Sequence, residues 1–343
     1  MRITTNAILR NYKSNLGTSL KNLDTARTRV MTQRKYNSTA EDPSSALRAA
    51  ILERKYVKNE DYLNIVKDVQ SFQDSQEDAA MQIENIAKTL SKRYGLEALN
   101  GTNGSIETRE TYADAWRGAQ ESLLLCLNAS YEGKYVFAGS NGKEAPFKLE
   151  KKDDGTQILT YRGVDVNDPA NAKVLEQLSK DSLFVDLGFG LNVTGQSGDV
   201  EIDSSSAFNT SLPGINLAGF GTSDGTENGM PNNIILLCGK IADELEKKDF
   251  DREKYTELLG HFDKARNNVL EKVTELGTQT EFLTTTKERL ESNSISLSTQ
   301  IDNVVNIDMA EAIMNFSWAQ YAYNAALKVG NNILTPSFID FMN

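Results

Sequence analysis

From Ser44 to Tyr94 the chain holds neither proline nor glycine, the two residues that most often end or bend a helix. Apolar residues Leu47, Ile51, Tyr62, Ile65, Val69, Phe72, Ala79, Ile83, Ile86 and Leu90 recur through this stretch at helical spacing. One helix of about 75 Å is therefore expected at ~1.5 Å per residue. Compact domains rarely contain such a helix, whereas rods do. Its start is marked by Asp42, which can accept from free backbone N–H groups, and by Pro43 at the first helical position, where a missing N–H leaves nothing unpaired. The segment ALNGTNGS, with Gly101 and Gly104 suited to positive φ, is expected to end it. A further helix from Glu107 to Tyr131 should return antiparallel. Near the other end, Ile234 to Leu290 reads as one or two more helices through Leu245, Leu258, Phe262, Val269, Val273 and Leu276.

The two ends of the chain look made for partners. Leu9, Tyr12, Leu16, Leu20, Leu23, Ala26 and Val30 step by three and four and place one stripe on a helix. The same forty residues carry Arg2, Arg10, Lys13, Lys21, Arg27, Arg29, Arg34 and Lys35 against a single acid, Asp24, so 8 − 1 = +7 in a chain of net −11. From Leu290 to Asn343 one base, Lys328, faces five acids, Glu291, Asp302, Asp308, Glu311 and Asp340, a balance of 1 − 5 = −4. If the terminal helices lie side by side, their flanks attract and their stripes meet in a coiled-coil seam. The basic residues equally fit the solvated face of an amphipathic helix, or a helix on a membrane surface.

The C-terminal helix has more apolar surface than one partner covers. Met309, Ile313, Phe316, Tyr323 and Leu327 form one stripe, and Met314, Trp318, Tyr321 and Ala325 a second. Phe316 and Trp318 lie about 200° apart at ~3.6 residues per turn. A helix apolar on both sides must be buried, either as the central helix of a globular bundle or between copies of the chain. Its terminal position, after the polar stretch Ser292 to Thr299, favours the second.

Between the helical arms, Tyr135 to Pro231 contains most of the glycines and four of the six prolines, with short alternating runs that read as a β-rich insert. Phe147 to Tyr161 is a hairpin around Asp154-Gly155. The loop GFGTSDGTENG, Gly219 to Gly229, lacks the GK[ST] ending of a phosphate loop and reads as a solvated connection.

Composition closes off most chemistry. His261 is the only histidine, so no Ser-His, Cys-His or His-His pair exists for a hydrolase, a zinc centre or a general base. Asp153, Asp154, Asp165, Asp168 and Asp181 have no EF-hand spacing, and turns explain an Asp next to Gly or Pro, as at Asp154 and Asp168, so all five read as structural. Cys126 and Cys238 lie in apolar runs and read as core thiols rather than a disulfide or a reactive pair. With a net charge of −11 and a pI near 4.9, nucleic acid is not an expected partner. No apolar run of about 18 residues exists to insert in a membrane. The first residues have no apolar core or cleavage site of a secretory leader, which by itself would imply the cytoplasm.

These features converge on a known pattern. MRIT at the start, the heptad helix after it, EDPSSALRA at 41 to 49, YVFAGSNGKEAPF from Tyr135 to Phe147, and IDMAEAIMNFSWAQYAYNAALKVGNNILTPSFIDFM at the end resemble the flagellin superfamily. Within it they are most similar to the hook-filament junction family. The likeness covers both helical arms, about two-thirds of the chain; the insert matches only in position and character. Two departures stand out. Met31-Thr32-Gln33-Arg34 replaces the family's common Ser-Ser-Gly or Ser-Gly, and Glu41-Asp42-Pro43 replaces its two aspartates before proline. Flagellin itself usually carries Asp-Asp-Ala-Ala-Gly at this helix start, so Pro43, YVFAG and the following Pro-Phe favour the junction family.

The resemblance implies a structural protein and no enzyme or cofactor. It implies export, unfolded, through the flagellar type III apparatus to an extracellular place on the flagellum, with an export chaperone bound near the C-terminus. There it would form a ring between hook-associated protein 1 and flagellin. The expected fold is mainly α with a β-rich insert: an antiparallel helical rod built from both arms, with the β domain projecting from mid-chain. Its expected domains are a terminal coiled coil (1–43 with 300–343), a helical rod (44–134 with 232–299) and the insert (135–231). Residues expected at assembly interfaces are Leu9, Leu16, Leu20, Leu23, Val30, Met309, Ile313, Phe316, Trp318, Tyr321, Tyr323 and Leu327. Alone, the termini bury too little to offset ~1–2 kcal/mol per residue of backbone ordering, so they should order on assembly. The competing readings are flagellin itself and a cytoplasmic helical scaffold.

Overall fold

The computed structural model describes residues 2–99, 105–151, 157–194, 201–203, 206–226 and 229–334. The loop with Gly101 and Gly104, the Asp153-Asp154-Gly155 turn and the tail 335–343 lie outside the described residues. Helices dominate both arms. α1 spans Arg2–Thr32 and α2 spans Pro43–Thr89, continuing as a π-helical turn, Leu90–Gly95, before α3, Ile106–Leu127. The middle holds β1 (Ser130–Tyr131), β2 (Lys134–Tyr135), β3 (Phe147–Lys151), β4 (Gln157–Tyr161) and β5 (Val164–Asp165). After a 3-10 turn, Pro169–Asn171, come α4 (Ala172–Ser179), β6 (Phe184–Val185), β7 (Val193–Thr194), β8 (Glu201–Ile202) and β9 (Phe208–Asn209). α5 (Gly214–Ala218), α6 (Ile234–Glu246), α7 (Arg252–Val305) and α8 (Met309–Leu334) complete the chain. The chain divides into two compact units, 1–61 with 290–343 and 62–289, a coarser division than the three-way one read from the sequence.

The larger unit, 62–289, has a conventional core. Trp116 of α3 is fully buried and meets Phe262 of α7 edge-on at 4.9 Å between ring centres. α6 is apolar on nearly every side, and Ile234, Ile235, Leu237, Cys238, Ile241 and Leu245 are all inaccessible. Asn233 starts α6, its side chain accepting from the N–H groups of Ile235 and Leu236. Where α6 reaches the surface beside α3, Arg117 forks onto Glu246 at 2.8 and 2.9 Å and reaches Asp243 at 2.8 Å. α2 and α7 run antiparallel here: the Gln70 amide donates to Thr284 Oγ1 and the Gln73 amide to Gln279 Oε1. The helical continuation past Thr89 loosens into a π turn at the point where α7 comes closest. Tyr255 donates its hydroxyl to Gly95 O at 3.2 Å, and a Cβ on Gly95 would fall 2.9 Å from Leu259.

Several sequence expectations need correcting. The returning helix stops at Leu127, short of Tyr131. Asn128 turns the chain there by donating to Phe147 O at 2.9 Å and accepting from Phe147 N at 3.0 Å. Its start is one residue early, because the Ser105 hydroxyl accepts from Thr108 N. The polar stretch Ser292–Thr299 is helical, so α7 is a single 54-residue helix. The insert is thinner in strand than expected. Seven of its described strands are two residues long, and α4 and α5 lie among them. The β3–β4 pairing is as expected, with Phe147 opposite Tyr161 and Lys151 opposite Gln157. Cys238 is fully buried, and burial pushes its thiol well above the ordinary range. Cys126 is only half-buried, with its Sγ 3.7 Å from Gln82 Oε1.

The motif entering the insert has a packing role. Phe137 is fully buried, and its carbonyl accepts from Tyr161 Oη at 3.1 Å and Gly214 N at 2.8 Å. Two residues on, Gly139 takes φ +70° to make room for the Asp181 carboxylate, which accepts from Ser140 N, Ser140 Oγ and Arg162 Nη1 at 2.9, 2.7 and 2.9 Å. A Cβ on Gly139 would lie 2.7 Å from Asp181 Oδ2. Gln33, after α1, also has positive φ, +60°, with Gln33 N donating to Arg29 O at 2.9 Å. Here a side chain sits where glycine is easier. The two positions predict opposite signs. Gly139→Ala should lower unfolding stability by about 2 kcal/mol or more, whereas Gln33→Gly should raise it by up to about 1 kcal/mol. Denaturant titration of the full chain followed by circular dichroism reads both.

Candidate functional site

In the smaller unit the two terminal helices pair through a heptad seam. Along α1 the half-buried positions Leu9, Tyr12, Leu16, Ser19, Leu23, Ala26 and Val30 alternate steps of three and four. Along α8 the positions covered on one side are Met309, Ala312, Phe316, Ala319, Tyr323, Ala326 and Gly330, with the same alternation. The helices run antiparallel. Tyr12 donates its hydroxyl to Ala326 O at 3.1 Å, and at the other end Ile307 N donates to Gln33 O at 3.0 Å and Lys35 N to Val305 O at 2.8 Å. Gly330 leaves the space that the Tyr12 ring fills; any Cβ there would collide with it.

The starts of the flanking helices are fixed locally. Asp308 caps α8, its carboxylate accepting from Ala310 N at 2.8 Å and Glu311 N at 3.4 Å. Asp42 caps α2 in the same way, taking Ser45 N at 3.0 Å and Ser45 Oγ at 2.5 Å. Those Ser45 donors hold its carboxyl below the usual carboxylate range. Pro43 follows as the first helical residue.

The residues expected at interfaces fall into two groups. Leu9, Leu16, Leu23, Val30, Met309, Phe316 and Tyr323 lie in the seam within one chain, each half-buried. Leu20, Ile313, Trp318, Tyr321 and Leu327 do not join it and stay 50, 51, 67, 71 and 43% exposed. Ile313 and Leu327, grouped with Phe316 in the sequence reading, therefore belong to the outer side. Ala312, Ala319, Ala326 and Gly330 take the seam positions in their stead. They are small, so a search for bulky residues passes over them; the register counted from Met309 in steps of three and four would have found them.

A second correction concerns charge. None of the described ion pairs joins α1 to α8, so the flanking charges do not hold this register. Backbone links and seam packing do. Arg10, Lys13, Lys21, Arg27, Arg34 and Lys35 remain exposed, and the basic side of α1 faces solvent.

The outer side of α8 is apolar and open. Met314, Trp318, Tyr321 and Val329 line it, 56, 67, 71 and 53% exposed, and Ala310, Ile313, Met314, Ser317 and Trp318 bound a shallow groove. Isolated exposed apolar residues are ordinary, whereas a continuous stripe along one helix is not. The aspartates considered for chemistry have local duties. Asp165 accepts from Asn167 N, Asp168 caps the turn at Ala170, and Asp181 holds Ser140 and Arg162. Among the described residues no cluster of His, Cys, Asp and Glu could hold a metal, and no helix is long and apolar enough to cross a membrane.

Comparison with known proteins matches both helical arms. The bacterial flagellin N-terminal helical region matches residues 3–142, and the bacterial flagellin C-terminal helical region matches residues 259–332. A structure assigned as a flagellar hook-associated protein of Vibrio parahaemolyticus is similar over 78% of this chain and 100% of its own, with a TM-score of 0.56 and 16% identity. FlgL of Bacillus cereus is similar over 74% of this chain and 99% of its own, with a TM-score of 0.51 and 14% identity. At such identities the likeness is one of fold. No curated protein sequence matches the chain.

The seam and the outer stripe should respond differently to mutation. Trp318→Ser or Tyr321→Ser should change the stability of the unassembled chain by less than about 0.5 kcal/mol, since neither side chain is covered. Phe316→Ala, half-buried in a seam that is marginal in the single chain, should instead melt the α1–α8 pair at lower urea, by about 1 kcal/mol. Urea titrations of the purified monomer distinguish the two outcomes.

Proposed function

The chain belongs to the flagellin superfamily, and from that premise we propose that it is a structural subunit of the bacterial flagellum that joins the hook to the flagellin filament, a hook-associated protein 3. Its neighbours there are hook-associated protein 1 on one side and flagellin on the other, with further copies of itself in a ring. It leaves the cell unfolded through the flagellar type III system, attended until then by a chaperone near its C-terminus, and acts outside. The observation that carries this reading is the pairing of a flagellin N-terminal helix with a flagellin C-terminal helix whose outer side, Met314, Trp318, Tyr321 and Val329, stays exposed among the described residues. The fold shared with a hook-associated protein and with FlgL supports the junction over other places on the flagellum.

The physics of assembly follows from burial. No described side chain of α1 is fully buried, and in α8 only Ala312 and Gly330 are. Apolar burial contributes about 25 cal/mol per Å², so a pair that leaves half its stripe wet gains little against the ordering of its backbone. A neighbour laid against the outer side of α8 covers the rest. Ordering and assembly are thereby coupled, which keeps single chains from polymerising in the cell. The exposed bases of α1 add long-range attraction toward an acidic neighbour and help choose it.

Flagellin is the second reading, because both matched regions are named for it. A deletion strain separates the two. Loss of a junction subunit should leave hooks in place on cells that shed flagellin monomer into the medium, and the wild-type gene on a plasmid should restore filaments. Bare cells without hooks, or purified chain that grows long homopolymers unaided, would contradict the junction assignment. In the complemented strain, Trp318→Ser with Tyr321→Ser should fail to restore filaments although the variant is still found in the medium.

A further inference from the structure

Outside the terminal helices, the larger unit contains a concave site of about 520 Å³ lined from α7 and from the α5–α6 connection. Three cationic or protonatable side chains, His261, Lys264 and Lys272, line it from one side of α7. Ile215, Phe220 and Ala265 supply its apolar surface. None of its described lining residues is acidic, although the chain carries 48 acids against 37 bases.

The hydrogen-bonding groups around it are used unequally. Four main-chain carbonyls beside it accept from asparagine amides. Asn268 Nδ2 donates to Asn216 O at 2.9 Å and to Leu217 O at 3.3 Å, Asn233 Nδ2 to Gly219 O at 2.7 Å, and Asn232 Nδ2 to Phe220 O at 3.4 Å. The donors are spare. His261 and Lys264 make no described hydrogen bond or ion pair, and Lys272 is held by Glu275 alone, at 2.7 Å, with two further N–H groups left over. Asp263, the acid nearest in sequence, is engaged elsewhere, by Ser91 Oγ at 2.5 Å and by Arg266 at 3.6 Å. With no acid in the described lining, and with His261 and Lys264 making no described polar contact, the concavity suits an acceptor-rich, negatively charged group.

We propose that this concavity binds a phosphate-type oxyanion, with Lys264 and Lys272 supplying charge and His261 a directed N–H. The apolar surface of Ile215 and Phe220 suits a phosphate carried on a ring better than the free ion. This proposal is independent of the flagellar assignment, since it uses no residue of the terminal helices.

The single histidine makes the test direct. Inorganic phosphate, and separately glucose 6-phosphate, would be titrated into the full-length monomeric chain at fixed pH and ionic strength, with chloride as the balancing salt. The His261 ring C–H resonance is the readout. A saturable shift is expected, at least threefold weaker in half-saturation for Lys264→Gln with Lys272→Gln, whose circular dichroism should match the wild type. Tighter binding of the sugar phosphate would place a ring on Ile215 and Phe220, and equal binding would assign the site to the free ion. A shift that rises linearly and is matched by chloride alone, or a saturable one unchanged in the double variant, would overturn the proposal.

Discussion

How close α1 and α8 come is decided by side-chain size in the seam. Ala312, Ala319, Ala326 and Gly330 alternate along α8 with Met309, Phe316 and Tyr323, so each large side chain is followed by a gap. Tyr12 reaches through one gap to the Ala326 carbonyl and occupies the volume that Gly330 leaves empty. Backbones that approach this closely turn only one narrow side toward each other. Everything else on α8 points away, including Trp318 and Tyr321. The pairing within the chain thus leaves apolar surface over: the helix has two apolar sides, and one seam built on small residues uses only one of them.

The two units hold themselves together in different ways. In 62–289, Trp116, Tyr161, Tyr255, Phe137, Phe147 and Phe262 are inaccessible, and Gln76 Nε2 donates to Val136 O at 2.6 Å. Such a core is close-packed. Among the described residues of 1–61 with 290–343, the buried apolar ones are Ala49, Leu52, Leu290 and Ala312. Four residues, two of them alanine, are a slender basis for so much helix, and the exposed stripe is the physical counterpart of that deficit.

The length of α2 was legible because helix breakers are absent from Ser44 to Tyr94 and a capping aspartate precedes Pro43. So was the α1 stripe, whose heptad spacing needs only counting. The hairpin register of Phe147 against Tyr161 followed from alternation. The π turn at Leu90–Gly95 was not legible, since it answers to Leu259 and Tyr255 some 160 positions away. Nor was the end of α3 at Leu127, which depends on Asn128 gripping Phe147. The attraction expected between basic α1 and acidic α8 produced no described ion pair. Long side chains on exposed flanks gain little by fixing one geometry.

By itself the sequence determined that both ends are helical, that each carries a heptad stripe, and that the last helix has apolar surface to spare. These are properties of periodicity, carried by residues a few positions apart. Only the tertiary structure decided which stripe of α8 meets α1 and which stays exposed. That choice depends on the distance two backbones can reach, and the distance is set by alanines and a glycine that hydrophobicity ranks low. The same holds for the cations about His261, which the fold sets beside Ile215 and Phe220 with no acid in the described lining.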